Sequence, residues 1–87
     1  MRLKLSIGNA DPTDILDKIK KVYSYLTLVE NDIDYENANS DVTVEIKDED
    51  LDMFLDLIKK GQENYDFDPL HTIYDMEDVI LWESSGF

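Results

Sequence analysis

Tyr23-Ser24-Tyr25-Leu26-Thr27-Leu28-Val29 is the stretch on which the fold turns. It is aromatic and β-branched enough to be either the last turn of a helix or the start of a strand. Upstream, Ile15, Ile19, Val22, Tyr23 and Leu26 recur at helical spacing, with Lys18, Lys20 and Lys21 on the other side. We therefore expect one helix running to about Val29. Its start is marked by Asp11-Pro12-Thr13-Asp14: an acid to cap a free N–H, a proline suited to the first helical position, and an acid at the positive end of the dipole. Before it, Leu3, Leu5 and Ile7 alternate with Arg2, Lys4 and Ser6, the period of a half-buried strand that Gly8-Asn9 ends.

Downstream, residues 31–41 hold four acids, three asparagines and no glycine, and read as an acidic loop with Ile33 and Tyr35 as its core contacts. Val42, Val44 and Ile46 alternate with Thr43 and Glu45, a second strand. Asp48 is placed to cap a second helix with Glu49, Asp50 and Asp52 in its first turn, Lys59 and Lys60 in its last, and Gly61 just past its end. Leu51, Phe54, Leu55 and Ile58 make its buried stripe. Asp68-Pro69 repeats the cap-plus-proline signal and predicts a short helix through Tyr74. Val79 to Trp82 is apolar on both faces, which suits a central strand. Ser84 to Phe87 reads as a frayed tail. The expected fold is a single α+β domain over residues 1–87. Its order is β-α-β-α-(short α)-β, with a three- to four-stranded sheet and two main helices packed on one face.

Charge is the chain's other message. Twenty-one acids face eight lysines and arginines, a net charge of −13. The split is uneven: residues 1–29 are about +2, and from Glu30 onward 18 acids face only Lys47, Lys59 and Lys60. Such like charge raises the repulsion within a compact state. It disfavours direct binding to nucleic acid or anionic lipid. With no cysteine there is neither a disulfide nor a Cys-ligated zinc site. No secretory h-region and no apolar run long enough to span a bilayer are visible, so we expect a cytoplasmic protein.

The carboxylates do not fall into a known chemistry. A calcium loop begun at Asp32 finds Asn37 where glycine belongs and Thr43 where glutamate belongs. A lone His71 supports neither zinc nor a Ser–His–Asp arrangement and reads as a packing residue. Gly8, Gly61 and Gly86 make no phosphate loop. Catalysis, metals and cofactors are therefore not expected. Tyr35, Tyr65 and Phe67 stand among acids, where a ring either offers arginine a face beside a carboxylate or simply pins the loop to the core. Asp52 and Asp56 lie four apart on the second helix, a like-charge pair that costs about 0.2–0.5 kcal/mol.

A concentrated negative surface does suit one task. It can occupy the lysines and arginines that a nucleic-acid-binding protein presents to phosphates, with fast, electrostatically steered association. The residues we expect to meet such a basic partner are Asp32, Asp34, Tyr35, Glu36 and Asp41, then Asp48, Glu49, Asp52 and Asp56, then Tyr65. The C-terminal 40 or so residues resemble small acidic phage anti-CRISPR proteins. The likeness lies in Phe54-Leu55-Asp56-Leu57-Ile58-Lys59-Lys60-Gly61, the acidic tyrosine loop after it, Tyr74-Asp75-Met76 and the closing Val79 to Trp82. The resemblance implies an inhibitor of a CRISPR effector nuclease, acting in the host cytosol. It also implies that Asp66, Asp68, Asp75, Glu77 and Asp78 engage the arginines that read the PAM. An immunity protein against a nuclease bacteriocin or contact-dependent toxin is the alternative reading, and an acidic adaptor module the third.

Overall fold

In the computed structural model, which describes residues 1–84, the alternation of Leu3, Leu5 and Ile7 becomes strand β1 (Arg2–Ile7), with all three side chains fully buried. Helix α1 (Thr13–Val22) and strands β2 (Thr27–Asp34) and β3 (Asn39–Glu45) follow. A short 3-10 turn (Asp48–Asp50) leads into helix α2 (Leu51–Gln62), and β4 (Leu70–Asp75) and β5 (Ile80–Glu83) complete the chain. The strands form one antiparallel sheet in the order β2-β3-β1-β4-β5. The first crossover, β1-α1-β2, leaves β3 between its strands, and the second, β3-α2-β4, leaves β1 between its own. That is the ferredoxin-like split β-α-β plan, extended by a hairpin strand. The α+β domain is as expected, but the sheet has five strands.

Both helices lie on one face. Ile15 and Ile19 from α1 and Phe54 and Ile58 from α2 join Leu3, Leu5, Ile7, Val42, Val44 and Ile73 in a single core. Tyr23 ties the helical layer together. Its ring meets Phe54 edge-on at 5.4 Å, its hydroxyl donates to Asp50 Oδ2 at 2.6 Å, and the same oxygen accepts the Lys47 N–H at 3.1 Å. Burial pushes the Tyr23 phenol above its ordinary pKa, and the bond to Asp50 adds to this.

Four expectations need correction. First, α1 ends at Val22, which is half-exposed, and Tyr23 is already extended at φ −137, ψ 91. Thr27 to Asp34 is an edge strand paired along β3, and residues 31–41 are a hairpin, not a loop. β-branched Thr27, Val29 and Ile33 suit a strand, and pairing with β3 gives one side of this backbone partners within the sheet. Residues 35–38 make the turn. The Asp34 carboxylate accepts the Asn37 N–H at 3.2 Å and its side-chain amide at 2.7 Å, and Ala38 stands at φ 53. Ile33 is half-buried, while Tyr35 is 78% exposed and touches no core.

Second, the short helix through Tyr74 is strand β4, because Thr72, Ile73 and Tyr74 are strand formers and the second edge of β1 requires a partner. Third, β5 is an edge strand, not a central one. Its register skips Leu81, so that Leu81 and Trp82 both rest on the rim of the core while Ile80 stays exposed. That bulge is why the run reads as apolar on both faces. Trp82 itself is half-buried. Fourth, the ends of α2 differ. Asp48 does not cap it but takes the N-terminal ammonium at 2.5 Å, and Gly61 lies inside the helix, where the Phe67 ring leaves no room for a Cβ. Leu51 and Leu55 of its stripe are half-buried, flanking Phe54 and Ile58. Asp11 does satisfy a free donor, the Thr13 N–H at 3.0 Å. The frayed tail expected at Ser84 to Phe87 lies outside the described residues from position 85 on. Among the described residues no helix is long and apolar enough to cross a membrane.

Candidate functional site on the open face of the sheet

The helices cover one face of the sheet, and the opposite face lies open. The period of two sends Leu3 and Leu5 inward, so Arg2, Lys4 and Ser6 point outward, and cross-strand register then decides what stands beside them. One row runs Glu30, Thr43, Lys4, Tyr74, Ile80 from β2 to β5. The next runs Asp32, Asp41, Ser6, Thr72, Glu83. Glu30, Asp32, Asp41, Thr43, Lys4, Ser6, Tyr74 and Asp78 line a shallow depression of about 430 Å³ across this face.

Its electrostatics are one-sided. Asp32 and Asp41 are direct cross-strand partners. Like charges opposite one another destabilise a sheet by roughly 0.2–1 kcal/mol. Among the described residues Glu30, Asp32 and Asp41 have neither an ion pair nor a side-chain hydrogen bond. Lys4 is the cation at the centre, and it is already bound to the Asp78 carboxylate. That hydrogen bond, with the fields of Asp78, Asp41 and Asp75, holds the Lys4 ammonium above its ordinary pKa. The later lysines do not relieve the face. Lys47 stacks 3.6 Å over the Tyr25 ring, and Lys60 pairs with Asp56 at 3.0 Å.

The fold sorts the expected site residues into groups. Asp32, Asp41 and Asp78 meet on the open face. Asp34, Tyr35 and Glu36 form the tip of the β2–β3 hairpin, where the Asn37 bonds hold the Asp34 carboxyl below its usual range. Asp52 and Asp56 ride on the solvent side of α2, behind the sheet, and Asp48 and Glu49 sit in the turn before it. Asp66 and Asp68 precede β4 while Asp75, Glu77 and Asp78 follow it, so a strand of about 17 Å separates the two sets that the resemblance joins. Asp68 accepts from the Gln62 amide, and Asp75 accepts the Glu77 and Val79 N–H groups at 2.8 and 3.0 Å, so both hold turns in place. The aromatics divide as well: Phe67 pins its loop against Gly61, whereas Tyr35 and Tyr65 are mostly exposed. His71 is half-buried on β4, with its ring against Gly8.

Glu30, Lys4 and Tyr74 belong to the face and were not expected there. The signal for Glu30 is its spacing of two from Asp32, which carries meaning only once residues 27–34 are known to be a strand. Among the described residues no group of three His, Cys, Asp or Glu side chains is placed to hold a metal ion. Compared with protein-family models, with curated proteins and with solved structures, the chain matches none.

Proposed function

We propose that the open face of the sheet binds the basic nucleic-acid-binding surface of another protein and blocks it by imitating a phosphate backbone. The observation that supports this reading most is the unanswered group Glu30, Asp32 and Asp41 on adjacent strands, with Asp32 set directly against Asp41. Same-face side chains recur about every 6.7 Å along a strand, and neighbouring strands lie about 4.8 Å apart. Carboxylates on such a grid offer arginine forks paired acceptors on a rigid support. An open sheet of this plan can also bind RNA, but that use relies on exposed aromatics and positive charge. Here the face repels phosphate, which directs it to a protein. A nuclease is the fitting target class: a CRISPR effector if the resemblance to phage inhibitors holds, a toxin nuclease if the protein confers immunity. The role needs no catalytic residue and no cofactor, and it suits the cytoplasm, where such enzymes work.

Capture of partners from host lysate by the immobilised protein, at low and at high salt, tests the proposal. We expect basic nucleic-acid-binding proteins that leave at high salt and that duplex DNA displaces. The triple reversal Glu30→Lys, Asp32→Lys, Asp41→Lys should weaken capture at least a hundredfold, about 2.7 kcal/mol, while Asp52→Lys with Asp56→Lys changes it less than about threefold. A captured protein that holds duplex DNA and this chain at once would rule out mimicry.

A further inference from the structure

We infer that the partner adds a β-strand to the outer edge of β2, with basic and apolar side chains in alternation. This rests on the reading that the partner is basic, and it specifies how the partner is held. β2 is one edge of the sheet. The register slips at Val29, and from Glu30 to Asp34 the pairing with β3 is regular. Every second residue of that stretch turns its N–H and C=O outward, away from β3. Natural edges are commonly blunted by lysine or proline. This one carries neither; its protection is the bulge at Val29 and the acids Glu30, Asp32 and Asp34, which repel another acidic edge but not a basic strand.

The two sides of β2 dictate the incoming sequence. Glu30 and Asp32 point to the open face. On the helical side, a groove of about 250 Å³ runs between α1 and β2, with Leu16, Leu26 and Leu28 in its wall and Asn31 at its lip. Leu28 remains 53% exposed there. A strand laid on β2 alternates its own side chains in step. One set lies beside Glu30 and Asp32 and is matched by arginine or lysine, and the other reaches over Leu16 and Leu28 and is matched by aliphatic residues. A second copy of this chain fits poorly, because β2 against β2 would bring Glu30, Asp32 and Asp34 onto their own counterparts. The main-chain bonds would supply affinity and the alternation specificity, as in other strand-addition complexes.

The test uses the full chain and synthetic peptides of about seven residues. One alternates arginine and valine, and one has the same composition in two blocks. Two further versions of the alternating peptide are N-methylated, one at the arginine and one at the valine nitrogens. At about 150 mM salt the alternating peptide should bind at least ten times more tightly than the block peptide. Only one of the methylated peptides should lose binding, because only one set of N–H groups faces the edge. Amide exchange should slow at the outward N–H groups within residues 30–34. Equal binding by the block peptide, or identical behaviour of the two methylated peptides, would overturn strand addition and leave the acidic-face reading standing. Failure of every peptide to bind even at about 20 mM salt would bring down that reading itself. A chain that sediments as a dimer and excludes the alternating peptide would give the edge to a second copy and overturn the inference.

Discussion

The acids around α2 and the acids on the β2–β3 face carry the same charge and meet different fates. Near the helix each of three carboxylates has a partner within the chain: Asp48 takes the N-terminal ammonium, Asp50 the Tyr23 hydroxyl, and Asp56 the Lys60 ammonium. On the sheet Glu30, Asp32 and Asp41 have no ion pair or side-chain hydrogen bond among the described residues, although the field of Asp41 reaches Lys4, and two of them oppose each other. The first group serves the fold. The second opposes it slightly, and a surface selected for stability alone would have placed a lysine across from Asp32. The total of −13 therefore conceals acids that the fold uses and acids that it leaves without an ion pair, and on the sheet the latter are gathered on adjacent strands.

Removing a carboxylate from each group should move stability in opposite directions. The largest expected effect is Asp50→Ala, which leaves the buried Tyr23 hydroxyl without its acceptor and should cost about 1–3 kcal/mol in urea unfolding. Asp52→Ala, two residues on in the first turn of α2 but exposed and without an ion pair, should change stability by less than about 0.5 kcal/mol. If the two variants unfold alike, the Tyr23–Asp50 bond contributes nothing and the contrast fails on its helical side. On the sheet, Asp41→Asn should stabilise the free protein by roughly 0.2–1 kcal/mol at low salt, and the gain should shrink as salt screens the pair. A loss of stability there would mean that Asp41 serves the fold after all.

The smallest effect concerns the hairpin tip, where Asp34 stands between the two groups: it lies on β2, yet its carboxylate is used by the turn. Its folded pKa lies below the usual value of 3.8 because it accepts from Asn37. Its contribution is therefore complete above 3.8 and is lost as pH falls through the lower folded value. Amide exchange at Asn37 should accelerate across that acid window, and Asp34→Asn should flatten the dependence. An Asn37 amide indifferent to acid would place Asp34 with the unpartnered acids.

Parts of this arrangement can be read from residues alone. Leu3-Leu5-Ile7 and Val42-Val44 alternate cleanly because one side of each strand is fully buried, and Phe54 and Ile58 keep helical spacing for the same reason. β2 is harder to read for the opposite reason. As an edge strand it leaves Leu28 and Val29 substantially exposed, so there is no sharp in-and-out contrast for a pattern to follow. Tyr23 and Leu26, both buried, extend the spacing of α1 beyond its real end and favour the wrong element. At β4, Asp68-Pro69 imitates a helix start, and the demand of β1 for a partner strand outweighs it.

Composition and local order by themselves determined that the chain is a small α+β domain with an apolar core, and that its negative charge gathers after residue 29. Those are sums and short-range periodicities, which survive without knowledge of what lies beside what. Only the tertiary structure decided that Glu30, Asp32 and Asp41 share a face with Lys4 while Asp52 and Asp56 lie behind it. A side chain's neighbours in a sheet are set by cross-strand register. That register depends on pairing between residues far apart in the chain, which no local pattern encodes.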